Sequence, residues 1–185
     1  DKPFILCTYH PVTLNFKDTA LDFQKVLNAL HLARLPVIFT YPNSDTNGRV
    51  IIKMIEEFLI THKTSMAFDH LGIERYSMLM RKASVVVGNS SSGIIEAGSF
   101  PTPVVNIGDR QKGRVCGENV ISTACVESNI ILSIKKALTS DFKIEIKDME
   151  NPYGGGNAAP KIVEILENLI IDKRLTMKTF FDLNL

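Results

Sequence analysis

The chain has 185 residues, of which 45% are hydrophobic and 22% are charged, and its formal net charge is +1. This length and composition fit one globular domain, because domains of about 100–200 residues are the usual size. The balanced charge offers no electrostatic footprint for a nucleic-acid partner, and no apolar stretch approaches the roughly 20 residues of a membrane helix.

The chain begins "DKPFILCTYHP", which has neither a basic leader region nor a cleavage site. We therefore expect a cytoplasmic protein without a membrane association. A strand is predicted from Phe4 and no methionine precedes Asp1, so we also expect the chain to be part of a longer protein. Cys7, Cys116 and Cys125 are odd in number and lack a C-x-x-C spacing, which argues for reduced, mostly buried thiols.

Short β-branched runs alternate with longer amphipathic ones along the chain, a pattern typical of repeated β-α units and a parallel sheet. Strands are predicted at residues 4–9, 36–41, 64–68, 84–88, 103–107 and 119–122. Helices are predicted at residues 18–34, 48–62, 73–83, 91–99, 127–139 and 158–171. Residues 141–157, which end in "NPYGGGN", predict a loop. No linker divides the sequence, so we predict a single α/β domain over residues 1–185, a Rossmann-like, doubly wound parallel sheet.

Polar residues gather after the predicted strands and not before them. The segments that follow the first five strands are "YHPVT", "PNSDTNG", "DHLG", "GNSSSG" and "GDRQKGR". The helix-to-strand turns, such as "HLARLP" and "RKAS", contain no comparable set. Because a doubly wound sheet binds its ligands beyond the carboxyl ends of its strands, this distribution predicts a ligand site at that edge.

The segment "GNSSSG" joins a strand that ends at Gly88 to a helix predicted to begin near Ser91. The first N–H groups of a helix are unpaired and carry partial positive charge, which suits phosphate. Hydroxyls from Ser90 to Ser92 would add donors. The same residue types are also ordinary helix caps, so the segment taken alone leaves both interpretations open.

Four charged positions after this segment have alternative explanations. Glu96 lies in the apolar run "GIIEAGSF", where a buried carboxylate needs a partner such as the hydroxyls of a ribose. A solvent-facing glutamate or an internal salt bridge would be the ordinary alternative. Arg110 and Arg114, together with Lys112, could form one wall of an anion site or belong to a solvated loop.

Two further strand-end residues are open in the same way. His10 precedes Pro11, which favours extended backbone, and its imidazole could donate to phosphate or move a proton near neutral pH. A structural role would be equally compatible with the pattern. Asn43 could cap a helix or touch a ligand.

Several common motifs are absent from the sequence. It contains no G-x-G-x-x-G, no Walker G-x-x-x-x-G-K-[ST], no G-x-S-x-G elbow and no spaced histidine and cysteine ligands. The absence of these motifs argues against a dinucleotide oxidoreductase, a P-loop enzyme and an α/β-hydrolase. We expect neither a metal nor a cofactor.

Four segments together resemble the UDP-N-acetylglucosamine 2-epimerase family, most closely its hydrolysing branch for sialic-acid and nonulosonic-acid precursors. In chain order they are "YHPVT", "PNSD", "VVGNSSSGIIEAGSFPTPVVNIGDRQKGRVCGENVI" and "NPYGGGNAAPKIVEIL". The resemblance implies the two-domain GT-B architecture, of which this chain would be the C-terminal, UDP-binding domain. It also implies that the partners are a UDP-sugar and the protein's own N-terminal domain, and that the full-length enzyme is a homo-oligomer.

The resemblance assigns roles to seven residues. Ser90 and Ser91 would hold the diphosphate, Glu96 would bind the ribose, and Arg110 would complete the site. Asn43 and Leu71 would lie beside the nucleotide, with Leu71 near the uracil, and His10 would reach the phosphates or the sugar.

Hydrolysing members of the family remove the proton at C2 of the sugar, eliminate UDP to give a glycal and add water to it. Their acids and bases for C2 belong to the N-terminal domain. His10 is therefore the one catalytic candidate in this chain, and we expect the isolated chain to be inactive.

Two other functions stay open at this stage. One is a GT-B glycosyltransferase domain, which also places a diphosphate at a helix end and a glutamate beside the ribose. The other is a nucleotide-binding module without catalysis.

The sequence also departs from many relatives at Ser92 and in "NPYGGGN", where many relatives have an acidic residue among the glycines.

Overall fold

A computed structural model describes residues 2–12, 17–44, 46–172, 175 and 177. Its strands are β1 (Ile5–Thr8), β2 (Val37–Thr40), β3 (Met66–Phe68), β4 (Val85–Gly88), β5 (Val104–Ile107) and β6 (Val120–Thr123). Its α-helices are α1 (Thr19–Ala33), α2 (Gly48–Thr61), α3 (Gly72–Lys82), α4 (Ser91–Ile95), α5 (Glu127–Ala137), α6 (Ser140–Glu145) and α7 (Ala158–Glu167). Each of the six predicted strands is confirmed, with small shifts at its ends.

The strands form one sheet in the order β3-β2-β1-β4-β5-β6, and every neighbouring pair is parallel. This is the strand order of a Rossmann-type fold, in which the direction of winding reverses between β1 and β4. At the carboxyl edge, Thr8 pairs with Thr40 on one side and with Gly88 on the other. The predicted doubly wound sheet is therefore confirmed.

Alternating strand side chains supply two apolar layers, because successive residues of a strand point to opposite faces. On one face, Ile5 and Val87 pack with α1, α2 and α5. On the other face, Leu6 and Val86 pack with Met80 of α3. Burying one such side chain contributes about 1.5–3 kcal/mol, so these two layers hold the strand ends in fixed positions.

Two predicted elements differ from the structure. The helix predicted at residues 91–99 is a five-residue α-helix followed by a separate 3-10 turn, Ala97–Ser99. All but the first residue of the helix α6 lie within residues 141–157, which were predicted as a loop. It forms because Thr139 Oγ1 accepts the Phe142 N–H at 3.3 Å and because Phe142 and Ile146 are buried, contacts that local charge patterning did not indicate.

The chain divides into two compact units, Asp1–Tyr153 and Gly154–Leu185. The sheet belongs to the first unit, and α7 belongs to the second. That residues 1–185 act as a single UDP-binding domain stays a prediction.

The part of the chain that the structure describes contains no helix long and apolar enough to cross a membrane. The same residues include no group of three or more histidine, cysteine or acidic side chains placed to hold a metal ion. Cys7 is buried, and this burial raises the pKa of its thiol to about 12. Cys125 is half-buried and Cys116 is exposed, so the expectation of mostly buried thiols is wrong for Cys116.

Candidate functional site

A cleft of about 430 Å³ opens at the carboxyl edge of the sheet. The structure brings all seven of the sequence-predicted residues to its walls: His10, Asn43, Leu71, Ser90, Ser91, Glu96 and Arg110. They come from the segments after β1, β2, β3, β4 and β5, as expected for a site at the reversal of strand order. Their individual contacts with a ligand stay predictions.

The cleft depends on a close approach of β1 and β4 at Gly88. A Cβ atom built on Gly88 would lie 1.9 Å from the carbonyl oxygen of Thr8, and the φ angle of Gly88 is +145°. Only glycine fits such a backbone without strain. The next residue, Asn89, donates its N–H to the same carbonyl at 3.2 Å, so the chain leaves β4 directly across the end of β1.

Asn89 links three of the loops that line the cleft. Its side chain accepts the backbone N–H of His10 at 2.7 Å and donates to the His10 carbonyl at 2.8 Å. Its own carbonyl accepts hydrogen bonds from Arg110 Nη1 at 3.1 Å and from Gln111 Nε2 at 2.9 Å. Asn89 is fully buried, so these contacts position both His10 and Arg110.

The imidazole of His10 is oriented by a contact with the next loop. His10 Nδ1 accepts the backbone N–H of Asn43 at 3.3 Å, and the residue as a whole is only 6% exposed. A neutral imidazole that accepts at Nδ1 carries its proton at Nε2. The ring of His10, a residue that lines the cleft, is therefore a hydrogen-bond donor at Nε2, and a donor suits an anionic ligand.

The serines after β4 form a compact cap. Ser90 is the N-cap of α4, and its Oγ accepts the Ser92 N–H at 3.4 Å. Because α4 has only five residues, it aligns fewer peptide dipoles than the predicted nine-residue helix would. The hydroxyls and Arg110 therefore contribute more of the anion-binding character than the sequence indicated.

Three charged positions correct the sequence analysis. Glu96 lines the cleft but is exposed, directly after α4, so the argument that it needs a partner because it is buried was wrong. Lys112 and Arg114 are also exposed, and neither lines the cleft. The predicted wall of three cations is reduced to Arg110, the one of the three that lines the cleft.

The structure adds Tyr76 to the site, a residue that the sequence analysis did not identify. Its hydroxyl lies 2.7 Å from Ser92 Oγ and 3.2 Å from Thr8 Oγ1. Burial raises the pKa of the Tyr76 phenol, so it stays protonated at neutral pH. No local signal marks Tyr76, because it lies in the middle of α3 and meets its partners only through the tertiary fold. Asn89 was not identified from the sequence for a related reason: an asparagine in "GNSSSG" is an ordinary helix-capping residue, and its partners are distant in the chain.

Comparisons with known proteins agree on one protein family. The sequence model of the family described as UDP-N-acetylglucosamine 2-epimerase matches residues 1–167. The chain is 39% identical to a GDP/UDP-N,N'-diacetylbacillosamine 2-epimerase (hydrolyzing) of Campylobacter jejuni, over 99% of this chain and 48% of that protein. It is 34% identical to a UDP-N,N'-diacetylbacillosamine 2-epimerase (hydrolyzing) of Legionella pneumophila, over 96% of this chain and 46% of that protein.

A solved structure shows the same fold. The UDP co-structure of MnaA from S. aureus superposes with a TM-score of 0.71 at 18% identity, covering 90% of this chain and 45% of that one. The predicted fold class, one Rossmann-like domain of the GT-B architecture, is thereby confirmed. The chain spans about half the length of the curated relatives that it matches.

Proposed function

The chain belongs to the UDP-N-acetylglucosamine 2-epimerase family, and on that premise we propose that it is the UDP-binding half of a hydrolysing 2-epimerase. The full enzyme would convert UDP-N-acetylglucosamine and water into N-acetylmannosamine and UDP, as a step towards sialic or nonulosonic acids. One observation carries the proposal. Five separate strand-end segments deliver the seven family-type residues to one cleft at the reversal of strand order.

The chemistry of the cleft suits UDP as a leaving group. Ser90 and Ser91 supply hydroxyl donors to the diphosphate, and Arg110 supplies a fixed positive charge held by the Asn89 carbonyl. His10, which also lines the cleft, would add an N–H donor. Such preorganised donors stabilise the negative charge that develops on UDP as its bond to the sugar breaks.

The remaining residues suit the nucleoside. Glu96 is exposed at the cleft wall, where its carboxylate can accept hydrogen bonds from two ribose hydroxyls. Asn43 and Leu71, which both line the cleft, would lie beside the nucleotide, with Leu71 near the uracil. The acids and bases for C2 of the sugar would come from the second domain, so the 185-residue chain alone would bind UDP without turning over a UDP-sugar.

Two candidate sugars follow from the comparisons. The relative at 39% identity is named for GDP/UDP-N,N'-diacetylbacillosamine and the relative at 34% for UDP-N,N'-diacetylbacillosamine, whereas the family model is named for UDP-N-acetylglucosamine. Both substrates share UDP, and the proposed contacts are to UDP. The cleft of this chain is therefore compatible with either sugar.

Titration calorimetry of the 185-residue chain with UDP tests the site. Ser90→Ala, Glu96→Ala and Arg110→Ala should each weaken binding by about 10-fold or more, because each removes a hydrogen bond that involves a charged group. Lys112→Ala is the matched control, since it removes a cation from the same loop but outside the cleft. UDP affinity like that of the parent in all three cleft variants would show that the site is wrong.

Incubation of the full-length protein with each UDP-sugar alone tests the reaction. The proposal predicts stoichiometric UDP and a free 2-epimeric sugar, resolved by proton NMR. A glycosyltransferase without its acceptor would only slowly hydrolyse the UDP-sugar, and the sugar released would not be epimerised. A binding module would release no sugar. Free epimer formed by the 185-residue chain itself would contradict the assignment of C2 chemistry to the second domain.

A further inference from the structure

A row of five hydroxyl groups crosses the floor of the cleft. It runs from Thr40 of β2 to Thr8 of β1, then to Tyr76 of α3, Ser92 of α4 and finally the cap residue Ser90. The Ser92 and Ser90 oxygens are 3.0 Å apart, and Tyr76 reaches Ser92 at 2.7 Å and Thr8 at 3.2 Å. Four elements of the fold therefore contribute to one connected network.

The geometry at Ser90 determines the direction of the network. Its Oγ accepts the N–H of Ser92 and also the hydroxyl hydrogen of Ser92. A serine hydroxyl has two acceptor positions and one hydrogen. Both acceptor positions of Ser90 are thus occupied, and its own hydrogen is the hydrogen-bonding function that remains for a ligand in the cleft.

The same counting applies one step back along the row. The hydrogen of Ser92 is committed to Ser90, so the bond between Ser92 and Tyr76 needs the hydrogen of Tyr76. The Tyr76 oxygen is then left as acceptor for the hydroxyl of Thr8. Every hydrogen in the row points towards Ser90, and aligned hydroxyl chains strengthen their terminal donor by mutual polarisation.

We infer that Tyr76 is a positioning residue that acts through Ser92 to make Ser90 a fixed hydrogen-bond donor for the diphosphate of the ligand. This inference rests on the proposed function, because it assigns a diphosphate to the cleft. It also explains the third serine of "NSSSG". Ser92 is 9% exposed and transmits the orientation from Tyr76 to Ser90.

Comparison of UDP with uridine in calorimetry separates this role from general damage to the cleft. Tyr76→Phe and Ser92→Ala should each weaken UDP binding by about threefold, since the terminal donor is kept but loses its orientation and polarisation. Uridine, which lacks the diphosphate, should bind each variant as it binds the parent. The control is Tyr153→Phe, which removes a phenol that donates to the Val115 carbonyl at 3.0 Å outside the cleft, and it should change neither affinity.

A double-mutant cycle tests whether Tyr76 acts through Ser90, because Tyr76 also lines the cleft and could touch UDP directly. If Tyr76 acts through Ser90, Tyr76→Phe should have no effect on UDP affinity in a Ser90→Ala background. Additive losses in the double variant would overturn the inference, and so would equal losses of UDP and uridine in Tyr76→Phe.

The two proposals fail in distinguishable ways. If the parent chain does not bind UDP, the proposed function of the cleft falls and the inference falls with it. If the parent binds UDP and Ser90→Ala weakens binding while Tyr76→Phe does not, the inference alone is wrong.

Discussion

Histidines lie near both edges of the sheet, but their hydrogen-bond partners and their burial differ. At the carboxyl edge, His10 is 6% exposed, and its backbone N–H and carbonyl are both bound by the side chain of Asn89. At the other end, His31 and His62 lie at the ends of α1 and α2 and hydrogen bond to each other, Nδ1 to Nε2, at 2.8 Å. Position relative to the strand ends, and not residue type, distinguishes the candidate site.

The presence of a cavity beside histidines does not by itself distinguish the two ends. A hollow of about 250 Å³ also lies beside His31 and His62. Among the residues that the structure describes, its lining comes from α1 and from α2 with its C-cap, and the ring of His62 stacks on Phe58 at 3.7 Å between centroids. The cleft at the carboxyl edge differs because five separate strand-end segments converge on it. Three substitutions would sharpen this contrast between the ends.

The largest effect on stability is expected for Gly88→Ala, where β1 and β4 approach closely at the carboxyl edge. The new methyl group would lie 1.9 Å from the Thr8 carbonyl oxygen at a φ of +145°, so the backbones of β1 and β4 would have to separate. We expect a loss of about 4 kcal/mol or more in the free energy of unfolding, or no folded protein. Urea unfolding followed by circular dichroism measures it.

Gly155→Ala is the control for that substitution. Its new methyl group would meet no atom within 4 Å, so stability should change by no more than about 1 kcal/mol. A Gly88→Ala protein as stable as the control would show that the close approach of β1 and β4 is not required.

An intermediate effect is expected for Asn89→Ala. It leaves the buried N–H and carbonyl of His10 without their partner and should lower the free energy of unfolding by about 2–4 kcal/mol. UDP affinity should fall as well, because the loop that carries His10 is released. Asn28→Ala is the matched control outside the cleft, where the exposed side chain hydrogen bonds to Gln24 and Glu127 near the surface, and it should cost at most about 0.5 kcal/mol. Urea unfolding and calorimetry on the same variants measure both effects. If Asn89→Ala bound UDP as the parent does, the contacts of Asn89 would stabilise the fold without contributing to UDP binding.

The smallest effect is expected for His62→Ala. It removes the stack on Phe58 and the bond to His31, both near the surface, and should lower stability by about 1 kcal/mol. UDP affinity should not change, whereas His10→Ala should weaken it. Calorimetry on both variants checks the contrast, and a loss of UDP binding in His62→Ala would mean that the two ends of the sheet are coupled.

Local pattern predicted most of the secondary structure and the edge of the sheet at which the cleft opens. The strands could be predicted because β-branched runs are a local property. That His10, Ser90 and Arg110 line the cleft could be predicted because each follows shortly after a strand. The errors have a common physical origin. The helix α6 depends on the burial of Phe142 and Ile146, and the exposure of Glu96 depends on where α4 ends, so each is set by contacts that a local pattern does not contain.

The sequence by itself determined the order of elements, the parallel sheet, the edge at which polar residues collect and the family resemblance, since these depend on periodicity and on short contiguous segments. Only the tertiary structure decided which polar groups are connected. Asn89 meets His10 across 79 positions of the chain, and Tyr76 meets Thr8 across 68. Such contacts arise from the pairing of β1 with β4 and the packing of α3 against the sheet, which place residues distant in sequence within hydrogen-bonding distance.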